Sequence, residues 1–248
     1  MEFTYNAYLN LIKLLKKNNY NICSYHNYKN FDKCAILRHD VDFNLEKALE
    51  FAELENSVNT HSTYFILLSS NIYNIASAKN INIIHTIKEL GHEIGLHFDE
   101  IKYNHTDKPI PELIKREIKI MSDILDFQIK SVSMHRPSLN TLNANYKIPG
   151  VINSYSETFF KEFKYVSDSR CNWKEPILDI IKSKKYKKLH ILTHAFWYNE
   201  DNLSAAEICG RFVNGANNER YEQMCENIKN FKEFMEMEQV LSSGYNIN

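Results

Sequence analysis

The chain has 248 residues, and its 30 basic side chains against 31 acidic ones leave a formal net charge of −1, which gives no field to attract a nucleic acid or an anionic membrane surface. Hydrophobic residues make up 44% and charged residues 25%, the make-up of a folded globular chain, read here as a single domain over 1–248. No apolar run approaches the roughly 20 residues that span a bilayer, and five scattered cysteines without a Cys-x-x-Cys pair argue against a thiolate zinc site.

In chain order, Tyr8, Leu9, Leu11, Ile12, Leu14 and Leu15 lie between lysines and predict an amphipathic first helix. That layout is unlike a secretory leader, so with the cysteine pattern it predicts cytoplasmic residence. Cys34-Ala35-Ile36-Leu37 then runs into Arg38-His39-Asp40-Val41-Asp42, a buried strand with a polar mouth. Asn44 caps a helix carried by Leu45, Ala48, Leu49 and Ala52. Residues 62–68 form a second strand, and Ile81, Ile84, Ile87 and Leu90 a second helical stripe closed by Gly91. A third strand covers 92–97. Pro111 opens a helix with Leu113, Ile114, Glu117, Ile118, Met121 and Leu125 along one stripe.

Ser131 to His135 is the fourth strand, Val151-Ile152 and Tyr165-Val166-Ser167 are shorter candidates, and 176–182 is a helix leading to a late strand over 189–193. A polar closing helix is expected over 221–240 and a frayed end over 242–248. Serial strand-helix units imply a parallel sheet.

In such sheets the loops after the strand C-termini build the active site. Strand alternation puts Arg38, Asp40 and Asp42 on one face. Two carboxylates that close need a cation or a shared proton to relieve their repulsion; the plain alternative is a solvated turn. On the third strand His97 and Asp99 share the polar face with Gly95, where something approaches the backbone closely, while His92 is read as structural. Ser133 and His135 share a face of the fourth strand. Arg136 is placed to pair with Asp40 and hold it ionised, and His194 ends the last strand as a proton donor.

Taken together, Arg38-His39-Asp40-Val41-Asp42, Gly91-His92-Glu93-Ile94-Gly95-Leu96-His97, His135-Arg136-Pro137 and Leu192-Thr193-His194 resemble, in that order, the polysaccharide deacetylases of the NodB-homology, carbohydrate esterase type. The likeness spans about 34–198. It implies a distorted (β/α) barrel with about seven parallel strands, a divalent metal ion such as Zn²⁺, and removal of an N-acetyl group from an amino sugar or glycan precursor. Asp40 matches the general base, Asp42 the metal-binding aspartate, His97 the first metal histidine, Arg136 the arginine beside the base, and His194 the general acid. Asp168 falls where the family carries a further polar strand end.

The departures are specific. Val41 separates the two aspartates, so their roles are interchangeable at this stage. The second metal histidine would fall at Ile101, and His135, or else Asp99, takes its place. Ser138-Leu139 and Ala195 replace an expected aromatic residue and a proline, which changes the substrate groove. Two other readings share these residues: a barrel without metal or catalysis, serving as a sugar-binding or scaffold subunit in a glycan-assembly complex, and hydrolysis of another C–N bond, such as a formamide or cyclic imide.

Overall fold

The computed structural model describes residues 1–237 and 240, and the chain divides into two compact units, Met1–Asn202 and Leu203–Asn248.

The first unit is organised around β1 (Asn21–Cys23), β2 (Cys34–Val41), β3 (Thr63–Leu67), β4 (Glu93–Asp99), β5 (Ser131–His135), β6 (Ile152–Asn153), β7 (Lys164–Ser167) and β8 (Lys188–Thr193). All their pairings are parallel. Seven strands run in the order β6, β5, β4, β3, β2, β8, β7, a curled half-barrel with β6 and β7 at its edges, as the alternation of strand and helix implied. The short β1 was not expected; three residues are too few to show a period. It takes the lower part of the β2 edge, opposite Cys34 to Ile36, while β3 takes the upper part, opposite Arg38 to Val41.

The strands are laid down by helices α1 (Tyr5–Lys17), α2 (Leu45–Asn56), α3 (Ala78–Glu89), α4 (Ile110–Leu125), α5 (Leu139–Asn143) and α6 (Ile177–Ser183). Their starts carry the expected chemistry: Thr4 Oγ1 accepts from Ala7 N at 3.1 Å, Asn44 Oδ1 from Lys47 N at 2.9 Å, and Pro111 sits in the first turn of α4. Gly91 ends α3 at φ +93°, where a side chain would strain the backbone and strike the His61 ring at 2.7 Å.

Alternation along β2 sorts the core into layers. Ala35 and Leu37 face outward into an apolar cluster with Leu11, Leu15 and Phe51. Cys34 and Ile36 face inward with Tyr25, Phe65 and Phe159, filling the base of the half-barrel. The next inward residues are Arg38 and Asp40, both buried, so the inner face of one strand passes from apolar at its start to charged at its end. A further cluster joins Tyr64, Ile66, Leu96, Phe98 and Val132 to α2, α3 and α4.

In the second unit α7 (Ala205–Asn227) opens on a reciprocal cap, Ser204 Oγ accepting from Glu207 N at 3.2 Å and the Glu207 carboxylate from Ser204 N at 2.8 Å. The helix expected over 221–240 therefore starts sixteen residues earlier, at the Ser-x-x-Glu signal, and ends at Asn227. The expectation of a frayed end over 242–248 lies outside the described residues. No described helix is long and apolar enough to cross a membrane.

Candidate metal and acid-base site

The polar strand ends converge on one cavity of about 560 Å³, whose wall includes Asp40, Asp42, His97, Asp99, His135, Arg136, Arg170 and His194. Parallel register explains why. Leu67 pairs with His97 and His97 with Ser133, so the inward residues of β3, β4 and β5 stand in one row at the height of the β2 terminus. His135 lies one residue pair higher, opposite Asp99.

Asp42 Oδ1 lies 3.2 Å from His97 Nε2 and 3.3 Å from His135 Nδ1, and the two nitrogens are 3.1 Å apart. Among the described residues this is the group of acidic and imidazole donors close enough to hold a metal ion. Three lone-pair-bearing atoms this close need a proton or a cation between them. A tetrahedral zinc site with bonds of 2.0–2.1 Å separates neighbouring donors by about 3.3 Å, so these atoms have the spacing of one tetrahedral face. Asp42 Oδ1 is moreover buried with no hydrogen-bond partner. One carboxylate oxygen and two imidazole nitrogens form a donor set that fits a divalent cation. Burial alone would raise the Asp42 pKa, but the imidazoles of His135 and His97 hold it well below the usual carboxylate range.

Asp40 has different surroundings. Its Oδ2 accepts from Arg38 Nη2 at 2.7 Å, and its Oδ1 accepts from Ser133 Oγ at 3.3 Å. Arg38 is fully buried. Its guanidinium lies over the rings of Tyr155 and Phe65, 4.9 and 5.4 Å from their centroids, and it also donates to Ser154 Oγ at 3.0 Å. Gly95 makes this arrangement possible, because a Cβ there would meet the Phe65 ring at 2.5 Å and Ser131 Oγ at 2.7 Å; the close approach read from the sequence is made by Phe65. Burial pushes the Asp40 carboxyl up, and Arg38 with His97 brings it below its ordinary value. The two aspartates, interchangeable by sequence, are thus separated by what they touch.

His194 is held by Asp168, the residue matched loosely by sequence. The buried Asp168 accepts from His194 Nδ1 at 2.6 Å through Oδ1 and from His194 N at 3.1 Å through Oδ2. Nδ1 must carry the proton in that contact, because a carboxylate only accepts, which leaves Nε2 facing the cavity, 3.9 Å from Asp42 Oδ2. Burial would lower the His194 pKa, but Asp168 raises it to about 9.

One expectation needs correction, and one open alternative is decided. Arg136 does not face Asp40. It sits at φ +48°, is largely exposed, and pairs with Asp99 at 2.6 Å; the left-handed turn before Pro137 carries it away from the barrel interior, and Arg38 occupies the place assigned to it. Arg38 was legible as an inward residue by alternation, but its partner was not. Asp99, the other candidate for the missing ligand, is engaged by Arg136 and caps Ile101 N at 3.3 Å. Ile101 itself is 48% exposed on the turn Glu100–Tyr103, and His135 stands in the cluster. His92 is structural as read, its Nε2 meeting Ala52 O at 3.1 Å.

No family model matches this sequence, and no curated protein matches it. Among solved structures the chain is similar to a CE4 family pseudoenzyme from Bacillus anthracis, at 13% identity and a TM-score of 0.40 over 75% of this chain and 60% of that one, so it spans less than two thirds of that protein. It is also similar to a family 4 carbohydrate esterase from Bacillus anthracis, at 16% identity and a TM-score of 0.43 over 82% of this chain and 83% of that one. A third similar structure is the peptidoglycan deacetylase PdaC from Bacillus subtilis, at 16% identity and a TM-score of 0.42 over 74% and 85%.

Proposed function

We propose that this chain is a metal-dependent hydrolase that removes an N-acyl group, such as N-acetyl, from an amino sugar or glycan precursor. The observation that carries the reading is the donor triangle of Asp42, His97 and His135, set between a buried Asp40 and a His194 that faces the same cavity.

Asp42, His97 and His135 would hold the cation, Zn²⁺ or a similar ion, and a cation held there supplies Lewis acidity to a water and to the amide carbonyl. Asp40 acts as the general base. Fixed by Arg38 and Ser133, its carboxylate stays ionised and oriented, with its remaining lone pairs free to take a proton from the attacking water. His194 acts as the general acid: Asp168 fixes the ring so that Nε2 faces the cavity, and its raised pKa keeps the proton there at neutral pH until the departing amine takes it. Tyr155, Tyr165, Leu192 and Trp197 on the cavity wall offer flat apolar surface to a sugar ring.

The test combines metal analysis with turnover. Protein stripped with chelator and reconstituted with Zn²⁺ should retain about one equivalent of metal and release acetate from an N-acetylated amino sugar. Asp40→Asn should keep the metal and lose about 10²–10⁴-fold in kcat, whereas Asp42→Ala should lose the metal itself. Reconstituted protein that retains no metal and cleaves nothing would instead favour the non-catalytic sugar-binding reading. Formamides and cyclic imides belong in the same panel, because cleavage of those alone would move the activity to another C–N bond.

A further inference from the structure

Each carboxylate that lines the cavity has a partner nearby. Asp40 is met by Arg38 at 2.7 Å, Asp99 by Arg136 at 2.6 Å, and Asp42 by the two imidazoles of the metal cluster. Arg170 remains. It lines the cavity, is exposed, and among the described residues has no ion-pair or hydrogen-bond partner.

Its backbone position is unusual for an arginine. Arg170 sits at φ +63° and Cys171 follows at φ +53°, a left-handed conformation that costs a residue with a Cβ on the order of 1 kcal/mol. The loop's own contacts hold it there. Asn172 N donates to the Asp168 carbonyl at 3.1 Å, the Ser167 and Ser169 hydroxyls meet at 2.5 Å, and the Asp168 side chain is locked onto His194. The loop that fixes the proton donor therefore also places a guanidinium on the cavity wall. Glycine or asparagine would meet the conformational demand more cheaply, and among the described residues no ion pair or hydrogen bond accounts for an arginine there.

The geometry points to Arg170 as the receptor for an oxyanion, a carboxylate or a phosphate, carried by the substrate. The planar guanidinium matches the paired oxygens of either group, and neutral hydroxyls make a weaker partner. This rests on the hydrolase reading for the identity of the ligand as an N-acyl amino sugar, and narrows that class to its acidic members.

Calorimetric titration of the metal-free protein, kept in chelator, tests the anion site without requiring turnover. The probes are N-acetylglucosamine, its 6-phosphate, and N-acetylmuramic acid, which carries a carboxylate. At least one anionic sugar should bind about 10- to 100-fold tighter than the neutral one, the span of a charge-assisted contact, and whichever does so identifies phosphate or carboxylate as the source. Arg170→Gly, which suits the left-handed backbone, should bring that ratio to about one, and Arg170→Lys should keep part of it. Equal binding of all three sugars, or a preference that survives Arg170→Gly, overturns the proposal. Acetate release by the zinc-loaded protein is measured in parallel. A binding preference without acetate release would sink the hydrolase reading and leave the anion site standing, and deacetylation without any preference would do the reverse.

Discussion

The two faces of β2 each present a buried carboxylate among histidines, and they are finished differently. On the outer face Glu55, from α2, is fully buried, accepting from Tyr8 Oη at 2.6 Å, Ser62 Oγ at 2.5 Å, Tyr64 Oη at 2.9 Å and His39 Nε2 at 3.0 Å. His39 continues to Thr193 Oγ1 at 2.6 Å. Every lone-pair direction of Glu55 is occupied by a donor from the protein, so the cluster ties α1, α2, β2, β3 and β8 together. On the inner face Asp42 has imidazoles and an orphaned oxygen beside an open cavity. A buried charge whose partners are all internal serves the fold, and one whose partners leave a gap serves a ligand.

The sharpest way to break this contrast is to truncate each carboxylate. Glu55→Ala would strand His39 and three hydroxyls in the core and should destabilise the protein by about 3–5 kcal/mol, read as a fall in the urea midpoint. Compared as metal-free proteins, Asp42→Asn should leave that midpoint nearly in place, while it should abolish metal binding and the stabilisation that bound metal supplies. If Glu55→Ala folds normally and only turnover is lost, the outer cluster is functional after all.

Acid separates the faces next. Burial favours a raised pKa for Glu55, but His39, His92 and Ser62 bring it down to about 2 from an ordinary 4.5. A depressed folded-state value stabilises the protein above pH 4.5 and loses that contribution as pH falls toward 2, on the order of 3 kcal/mol in all. Urea midpoints of the native protein and of Glu55→Gln should therefore converge between pH 4.5 and 2. Parallel curves across that range would show that Glu55 is not held ionised.

The smallest effect is expected at Arg136. Its pair with Asp99 is exposed, so Arg136→Ala should change stability by less than about 1 kcal/mol. Should its kcat fall as far as that of Asp40→Asn, the arginine braces the base as the sequence reading had it, and the role given to Arg38 fails.

Much of this was legible because of one period. Side chains alternate along a strand, so Arg38, Asp40 and Asp42 had to share a face, as did His97 with Asp99 and Ser133 with His135. Glu55 was missed although a signal existed: it continues the buried helical stripe of Ala48 and Ala52, where an acidic residue needs internal partners. Asp168 was singled out only by the family resemblance, since a short strand followed by polar residues is also what an ordinary loop looks like.

The sequence alone determined the order of the longer strands and of the helices between them, the polar strand ends, and which residues of those strands face inward, because these depend on neighbours along the chain. Tertiary structure decided which arginine meets Asp40, that His135 rather than Asp99 joins Asp42 and His97, and that Asp168 grips His194. Arg38 meets Asp40 from two positions away on the same strand, whereas the other contacts depend on the register between strands and on the curl of the sheet, which set distances between residues 26 to 93 positions apart. The inner face of the sheet thus acquires its chemistry only when separate strand ends are brought to one height.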